Sequence, residues 1–266
     1  IVKLLITHLI IFYFNYQKSF LMKNKFELIY EGKAKKIFSH ENSEKVIIEF
    51  KDDATAFNAL KKAQFKGKGE LNCLITSKIF EFLHKNGIPT HFIGLRNNNS
   101  IIAQKIKIIP LEVVLRNRAY GSICKQTTLI PGSSLKEPLI DLYFKNDELN
   151  DPLLTKNRIR LLNIISNEDL EFIEKITLSI NKLLKDFFLN INLDLVDFKL
   201  EFGRNSSGEI VLADEFSPDN CRLWDLNPVD AKMRSLDKDR FRNDLGGLIE
   251  AYTEINNRID NFFNSQ

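Results

Sequence analysis

The chain has 266 residues, 44% of them hydrophobic and 27% charged, a balance ordinary for a soluble globular protein with a sizeable core. A formal net charge of only +3 argues by itself neither for nucleic acid nor for an acidic membrane surface. Cys73, Cys124 and Cys221 are odd in number, widely spaced and without a CxxC pair, so they read as reduced thiols in a cytoplasmic protein rather than as a zinc site.

The first 21 residues, IVKLLITHLIIFYFNYQKSFL, stand apart. Their apolar run, Leu4 to Phe14, is the length of a signal-peptide hydrophobic region and falls short of the roughly 20 residues of a membrane-spanning helix. No small-residue cleavage site follows, position 1 is not Met, and Met22 comes next. Residues 1–21 are therefore read as upstream sequence translated ahead of a start at Met22.

From Phe26 the pattern is regular. Residues 26–30 and 36–38 are short strand-like runs flanking Glu31-Gly32-Lys33-Ala34-Lys35, and Lys45 to Phe50 is a third. Connections this short predict antiparallel pairing. Leu71, Leu74, Ile75, Phe82 and Leu83 predict a helix over 70–85, stopped by Gly87 and Pro89. Strand-like runs follow at 90–94 and 101–109, and Pro110 is expected to mark a break. Beyond it the sequence predicts a long helix near 167–190 capped by Ser166, and strands at 193–202 and 209–213 turning at Asn205–Gly208. A last amphipathic helix is expected over 239–262. The sum is an α+β protein, with a small antiparallel N-terminal lobe over 22–110 and a larger α/β lobe over 111–266.

Four stretches carry chemistry. Gly32-Lys33-Ala34-Lys35 combines a glycine that lets backbone approach a ligand with two lysines for phosphate oxygens, although lysine-rich turns are common. Arg116 and Arg118 sit one residue apart at a strand end, ahead of Ser122; this is either an anion cradle or a solvated strand end. On a strand over 195–203, Asp197, Lys199 and Glu201 share one face while Val196, Phe198, Leu200 and Phe202 face the core. The neighbouring strand ends in Asp214-Glu215, which brings Glu201 and Asp214 together as a natural magnesium pair, with Asp219 and Arg222 placed to contact a polar substrate.

These residues resemble the SAICAR synthetase (phosphoribosylaminoimidazole-succinocarboxamide synthase) family. The matching stretches are YEGKAKKIF (30–38), FKDDATAF (50–57), GKGELN (67–72), PLEVVLRNRAYGS (110–122), FKNDELNDP (144–152), LVDFKLEFG (195–203), DEFSPDNCRLWD (214–225) and DKDRFRNDLGGLIEAY (237–252), eight in family order. The resemblance implies a two-lobed fold with ATP in the cleft. It implies Mg²⁺-dependent joining of L-aspartate to the carboxylate of carboxyaminoimidazole ribotide (CAIR), through an acyl phosphate, in purine biosynthesis. It further implies a cytoplasmic homodimer that binds no nucleic acid or membrane.

Carried over by motif, Gly32, Lys33, Ala34 and Lys35 would cover the ATP phosphates, and Lys105 to Glu112 would form the hinge against which adenine packs. Glu201 and Asp214 would hold magnesium, and Lys145 would contact nucleotide phosphate. Arg116, Ser122 and Arg222 would bind the CAIR ribose phosphate. Lys199 and Asp219 would act at the imidazole-carboxylate end, and Arg242 would lie near an anionic group. Glu215, Trp224 and Asp225 receive structural support as their reading. One departure is Phe57-Asn58, where many members carry Gly-Asp, so Asn58 receives no role. A kinase-like phosphotransferase lacks its HRD and DFG signatures here. A nucleic-acid binder would rest on Lys61, Lys62, Lys66 and Lys68 without any accompanying RNA or recognition-helix motif.

Overall fold

Short connections at the start of the chain do give an antiparallel sheet. In this computed structural model, which describes residues 26–56, 60–228, 230 and 233–265, β1 (Leu28–Glu31), β2 (Lys35–Ser39) and β3 (Lys45–Phe50) form a meander. β6 (Phe92–Asn97) and β7 (Ser100–Gln104) complete the order β1-β2-β3-β7-β6. Residues 1–21 and Asn58 lie outside the described residues. Helix α1 (Lys68–Lys85) covers this sheet, burying Cys73 against Val46, Ile48, Phe50, Ile101 and Ala103. Its N-terminus is capped from a distance: Asp52 accepts from the amides of Gly67 (3.2 Å) and Gly69 (2.9 Å), placing a carboxylate at the positive helix end. Gly69 is required by close approach, since a Cβ there would stand 2.5 Å from the Phe50 carbonyl oxygen. A two-stranded hairpin, β4 (Asp53–Ala56) and β5 (Lys61–Gln64), precedes the helix.

The second sheet is organised around β10 (Leu193–Arg204). One edge pairs with β8 (Lys107–Arg118), which in turn pairs with β9 (Ser134–Phe144). The other edge is shared between β12 (Cys221–Asp225) along its first half and β11 (Ile210–Ala213) along its second. Asp197 thereby sits between Arg116 and Arg222, and Glu201 between Glu112 and Ala213. Asn220 fills the gap between the two edge strands: its carbonyl accepts from Lys199 N (2.8 Å) and its Nδ2 donates to Lys199 O (3.1 Å). Residues 214–219 are thus free to loop off the sheet toward the first lobe.

Helix α4 (Asn167–Asn190) packs on β10, and α6 (Leu248–Asn264) packs on α1. One apolar cluster runs from Ile75, Ile79 and Phe80 of α1 through Val113, Leu115, Phe198 and Leu200 to Tyr252 and Ile255, so α1 packs into the core of the second sheet while its Cys73 belongs to the smaller cluster of the first. Each fully buried side chain of this size contributes roughly 1.5–3 kcal/mol. Three short helices complete the fold: α2 (Ser122–Gln126), α3 (Lys156–Leu161) and α5 (Asp239–Arg242). No helix among the described residues is long and apolar enough to cross a membrane.

Ser166 caps α4 as its sequence predicts, accepting from Asp169 N at 3.1 Å. Two expectations fail for physical reasons. Pro110 does not break the chain, because it lies inside the bulge between the Glu201–Glu112 and Gly203–Ile108 pairs, where no ladder donor is needed. The sheets change over earlier, between Gln104 and Lys107. The last helix is not continuous from 239 to 262 either. It ends at Arg242 and restarts at Leu248, because Asp244, Gly246 and Gly247 take left-handed φ of 54°, 68° and 61°.

Candidate active site

The alternation of β10 places Lys199 and Glu201 on one face, and the facing elements bring charge to them. Lys199 Nζ lies 2.6 Å from Glu201 Oε1, 3.2 Å from Glu112 Oε1 and 3.4 Å from Asp214 Oδ2. Lys145 Nζ, just past β9, reaches the same Glu201 Oε1 at 2.6 Å. Lys35, at the start of β2, pairs with Asp214 Oδ1 and stands 2.7 Å from Glu215 Oε1. Three ammonium groups and four carboxylates from both sheets therefore form one network. Sequence reasoning named all of them as site residues except Glu215.

Burial alone would favour the neutral form of Lys199. The carboxylates of Glu201, Asp214 and Glu112 more than offset it and hold its pKa well above the usual lysine range. Burial would likewise raise Asp214, but Lys35 and Lys199 keep its carboxyl far below the usual range, so it is ionised at any working pH. Asp214 also has a left-handed φ of 62°, a conformation Asp tolerates better than most residues. The ring of His91 is buried behind it, and burial pushes that imidazole down to about 4.

A second network occupies the N-terminal half of β10. Arg116 spends all five of its N–H groups on protein: Asp141 (3.0 Å), the Tyr120 carbonyl (3.0 Å), Asp197 (3.1 Å), Ser122 Oγ (3.0 Å) and Tyr143 OH (3.4 Å). Asp197 also accepts from Arg222 at 2.7 Å, and Asp239 accepts from Arg222 at 2.8 Å and from Arg242 at 2.6 Å. Arg222 further stacks over the Tyr120 ring, 5.2 Å from its centroid. Arg116, Ser122 and Arg222, which the sequence reading grouped, lie together here, and Arg242, which it placed only near an anionic group, joins them through Asp239. The acids that align them, Asp141, Asp197 and Asp239, were given no role there.

Asp219 joins neither network. It is buried in a pocket of its own, 2.8 Å from Lys68 Nζ and 3.5 Å from Lys238 Nζ, and accepts from Tyr252 OH at 2.7 Å. Burial raises its pKa, but Lys238 and Lys68 win and hold it far below the usual range. Lys33 points away from the cluster to an exposed pair with Asp147 at 2.7 Å, while Gly32 N closes the turn on Lys35 O at 2.8 Å and Ala34 O accepts from Lys51 N at 2.8 Å. Lys105 is exposed at the crossover between the sheets, its amide donating to Glu44 O at 2.8 Å. A cleft of about 540 Å³ opens between the glycine turn and the β4–β5 hairpin, lined by Lys33, Lys51, Asp53 and Lys62 rather than by the clustered carboxylates. Among the described residues, no three metal-ligating side chains are arranged to hold an ion on their own.

The fold and these networks define an α+β enzyme that gathers opposite charges between two sheets, with chemistry suited to anionic ligands. The SAICAR synthetase family profile matches residues 28–259. A phosphoribosylaminoimidazole-succinocarboxamide synthase of Prochlorococcus marinus subsp. pastoris is 76% identical over 241 residues, covering 91% of this chain and all of the relative. The synthase of Ehrlichia chaffeensis superposes with a TM-score of 0.84 at 45% identity, over 88% of this chain and 98% of that one. A SAICAR synthetase (Type-2) solved in complex with ADP superposes with a TM-score of 0.82 at 50% identity, over 88% and 97%. The chain belongs to the SAICAR synthetase family.

Proposed function

We propose that the chain joins L-aspartate to the carboxylate of CAIR at the expense of ATP, giving SAICAR, ADP and phosphate in purine biosynthesis, through an acyl phosphate. Family membership supplies the reaction, and the ADP complex of a relative supports nucleotide binding. The observation that carries the site reading is the convergence of Lys35, Lys145 and Lys199 with Glu201 and Asp214 beside the arginine network.

Phosphoryl transfer to a carboxylate asks mainly for positioning and charge neutralisation. Lys35 and Lys145 suit the nucleotide phosphates, with the glycine turn at Gly32–Lys35 as their cover and Lys105 to Glu112 as the adenine side. Arg116, Ser122, Arg222 and Arg242 suit the ribose phosphate of CAIR. The bonds of Arg116 imply that Arg222 and Arg242, which are less enclosed, present more of their donors to ligand. Lys199, at the centre of the lysine–carboxylate network and two residues along β10 from Asp197, suits the reacting carboxylate. Asp219, enclosed by Lys68 and Tyr252, acts from behind by fixing the 214–220 loop. Glu201 and Asp214 fit a magnesium ion, because both already share the single cation of Lys199. That ion would neutralise charge on the phosphate oxygens.

In the reaction, a CAIR carboxylate oxygen bonds to the γ-phosphorus as the bond to ADP breaks. The aspartate amine then adds to the acyl carbon and loses a proton, and phosphate leaves with the former carboxylate oxygen. CAIR labelled with ¹⁸O in its carboxylate is expected to deliver one ¹⁸O to the released phosphate; unlabelled phosphate would refute the acyl phosphate. On the strength of the family resemblance we assign the chain an N-terminal lobe and a substrate lobe, with the boundary moved from Pro110 to the crossover between Gln104 and Lys107, and place the enzyme in the cytoplasm as a homodimer. Sedimentation equilibrium tests the dimer.

A further inference from the structure

Glu215 follows the proposed metal ligand Asp214 directly, yet its surroundings differ. Its side chain is 6% exposed against 16% for Asp214. Both Glu215 oxygens are committed: Oε1 to Lys35 Nζ at 2.7 Å, and Oε2 to Ser217 Oγ, which donates at 2.5 Å. The loop is pinned around it, since Asn220 Nδ2 donates to Glu215 O at 2.6 Å and Ser217 N donates to Asn220 Oδ1 at 2.9 Å. Asp214 has no such bonds to its own loop. Its oxygens are divided between Lys35 and Lys199, two cations that other ligands can replace.

The division matters for Lys35. Its ammonium is mostly buried, 5.5 Å from the centre of the Phe50 ring, and a buried ammonium needs a carboxylate partner to stay in place. If Asp214 turned to a cation, Lys35 would keep only Glu215. We propose that Glu215 is a positioning residue that holds Lys35 in place for the nucleotide phosphates while Asp214 serves the metal. The pair also crosses between the sheets, from β2 of the first to the loop after β11 of the second. The inference rests on the nucleotide-binding reading of Lys35.

Calorimetric titration of ATP, with Mg²⁺ present, and of adenosine into the wild type, E215Q, K35A and the double variant tests it. E215Q is expected to weaken ATP about tenfold and leave adenosine unchanged, whereas in the K35A background it should cost less than about twofold more, because its effect passes through that lysine. S217A, which frees Glu215 without removing its charge, should weaken ATP about threefold. Wild-type ATP affinity in E215Q would overturn the proposal, as would an equal cost in both backgrounds or equal losses for ATP and adenosine. Should E215Q melt far below the wild type, S217A decides, and unchanged ATP affinity there overturns it. A wild type that binds no ATP would instead overturn the nucleotide reading, and the proposal with it.

Discussion

The lysine–carboxylate network and the arginine–aspartate network lie on successive residues of one strand face, yet they are built for different behaviour. At Lys199 and Glu201 the cations are ammonium groups on flexible stems, and a single Glu201 oxygen takes two of them at 2.6 Å. Lys145 remains 42% exposed while doing so. At Asp197 the cations are planar forks, each aimed by several bonds, and Arg116 bonds to protein through every N–H. Point charges that share partners exchange them easily; forks locked by geometry do not. The difference teaches that, on the proposed reading, the side assigned to nucleotide is arranged to be remade when ligand arrives, and the side assigned to ribotide to be ready before it.

The largest effect is expected at the point where the lysine side exchanges partners. Asp214→Asn removes the charge that Lys35, Lys199 and the proposed metal all use, and turnover should fall by about a hundredfold or more with the melting temperature nearly unchanged. Near-normal turnover at ordinary Mg²⁺ would break the assignment. Stability separates the two networks next. Arg116→Lys leaves Asp141 and Asp197 underpaired in a buried site and should cost roughly 2–4 kcal/mol in denaturant unfolding, while Lys145→Ala should cost at most about 1 kcal/mol because Glu201 keeps Lys199. Equal costs would erase the contrast.

Behind the lysine side, His91 supplies a pH test. Its folded pKa of about 4 lies below the ordinary histidine value, so its contribution is complete above the unfolded value and is lost as pH falls through 4. Between about pH 6.5 and 4 the wild type should lose up to roughly 3 kcal/mol, and His91→Gln should flatten that limb of the melting curve. The smallest effect concerns thiols. Burial pushes Cys73 up to about 12 and raises Cys221, beside Arg222, well above the thiol range, whereas Cys124 is only half-buried. At pH 8 a thiol reagent should label Cys124 ahead of the other two; rapid labelling of Cys221 would show that the arginine side is less closed than described.

Much of this was legible because local pattern and local chemistry agreed. The alternation at Asp197, Lys199 and Glu201, the turn at Asn205–Gly208, the Ser166 cap and the meeting of Glu201 with Asp214 follow from strand period and turn residues close in sequence. What escaped depends on long-range register. Asp141 lies on β9, a strand whose outer residues are mostly exposed and carry no alternating pattern, and it meets Arg116 only through the β8–β9 ladder. Glu215 meets Lys35 across 180 positions, and nothing near either residue announces the other. Asp219 is placed at the substrate by its motif, and its pairing with Lys68 at the start of α1 is a long-range contact that the motif does not announce. Pro110 misled because a proline reads as a break unless the bulge that accommodates it is known.

The most direct test is an ADP-release assay with ATP and Mg²⁺ in which CAIR and L-aspartate are omitted in turn. Steady ADP release is predicted only when both are present, with SAICAR formed in equal amount. Sustained ATP turnover without CAIR, or ADP release in the complete mixture without SAICAR, would contradict the account.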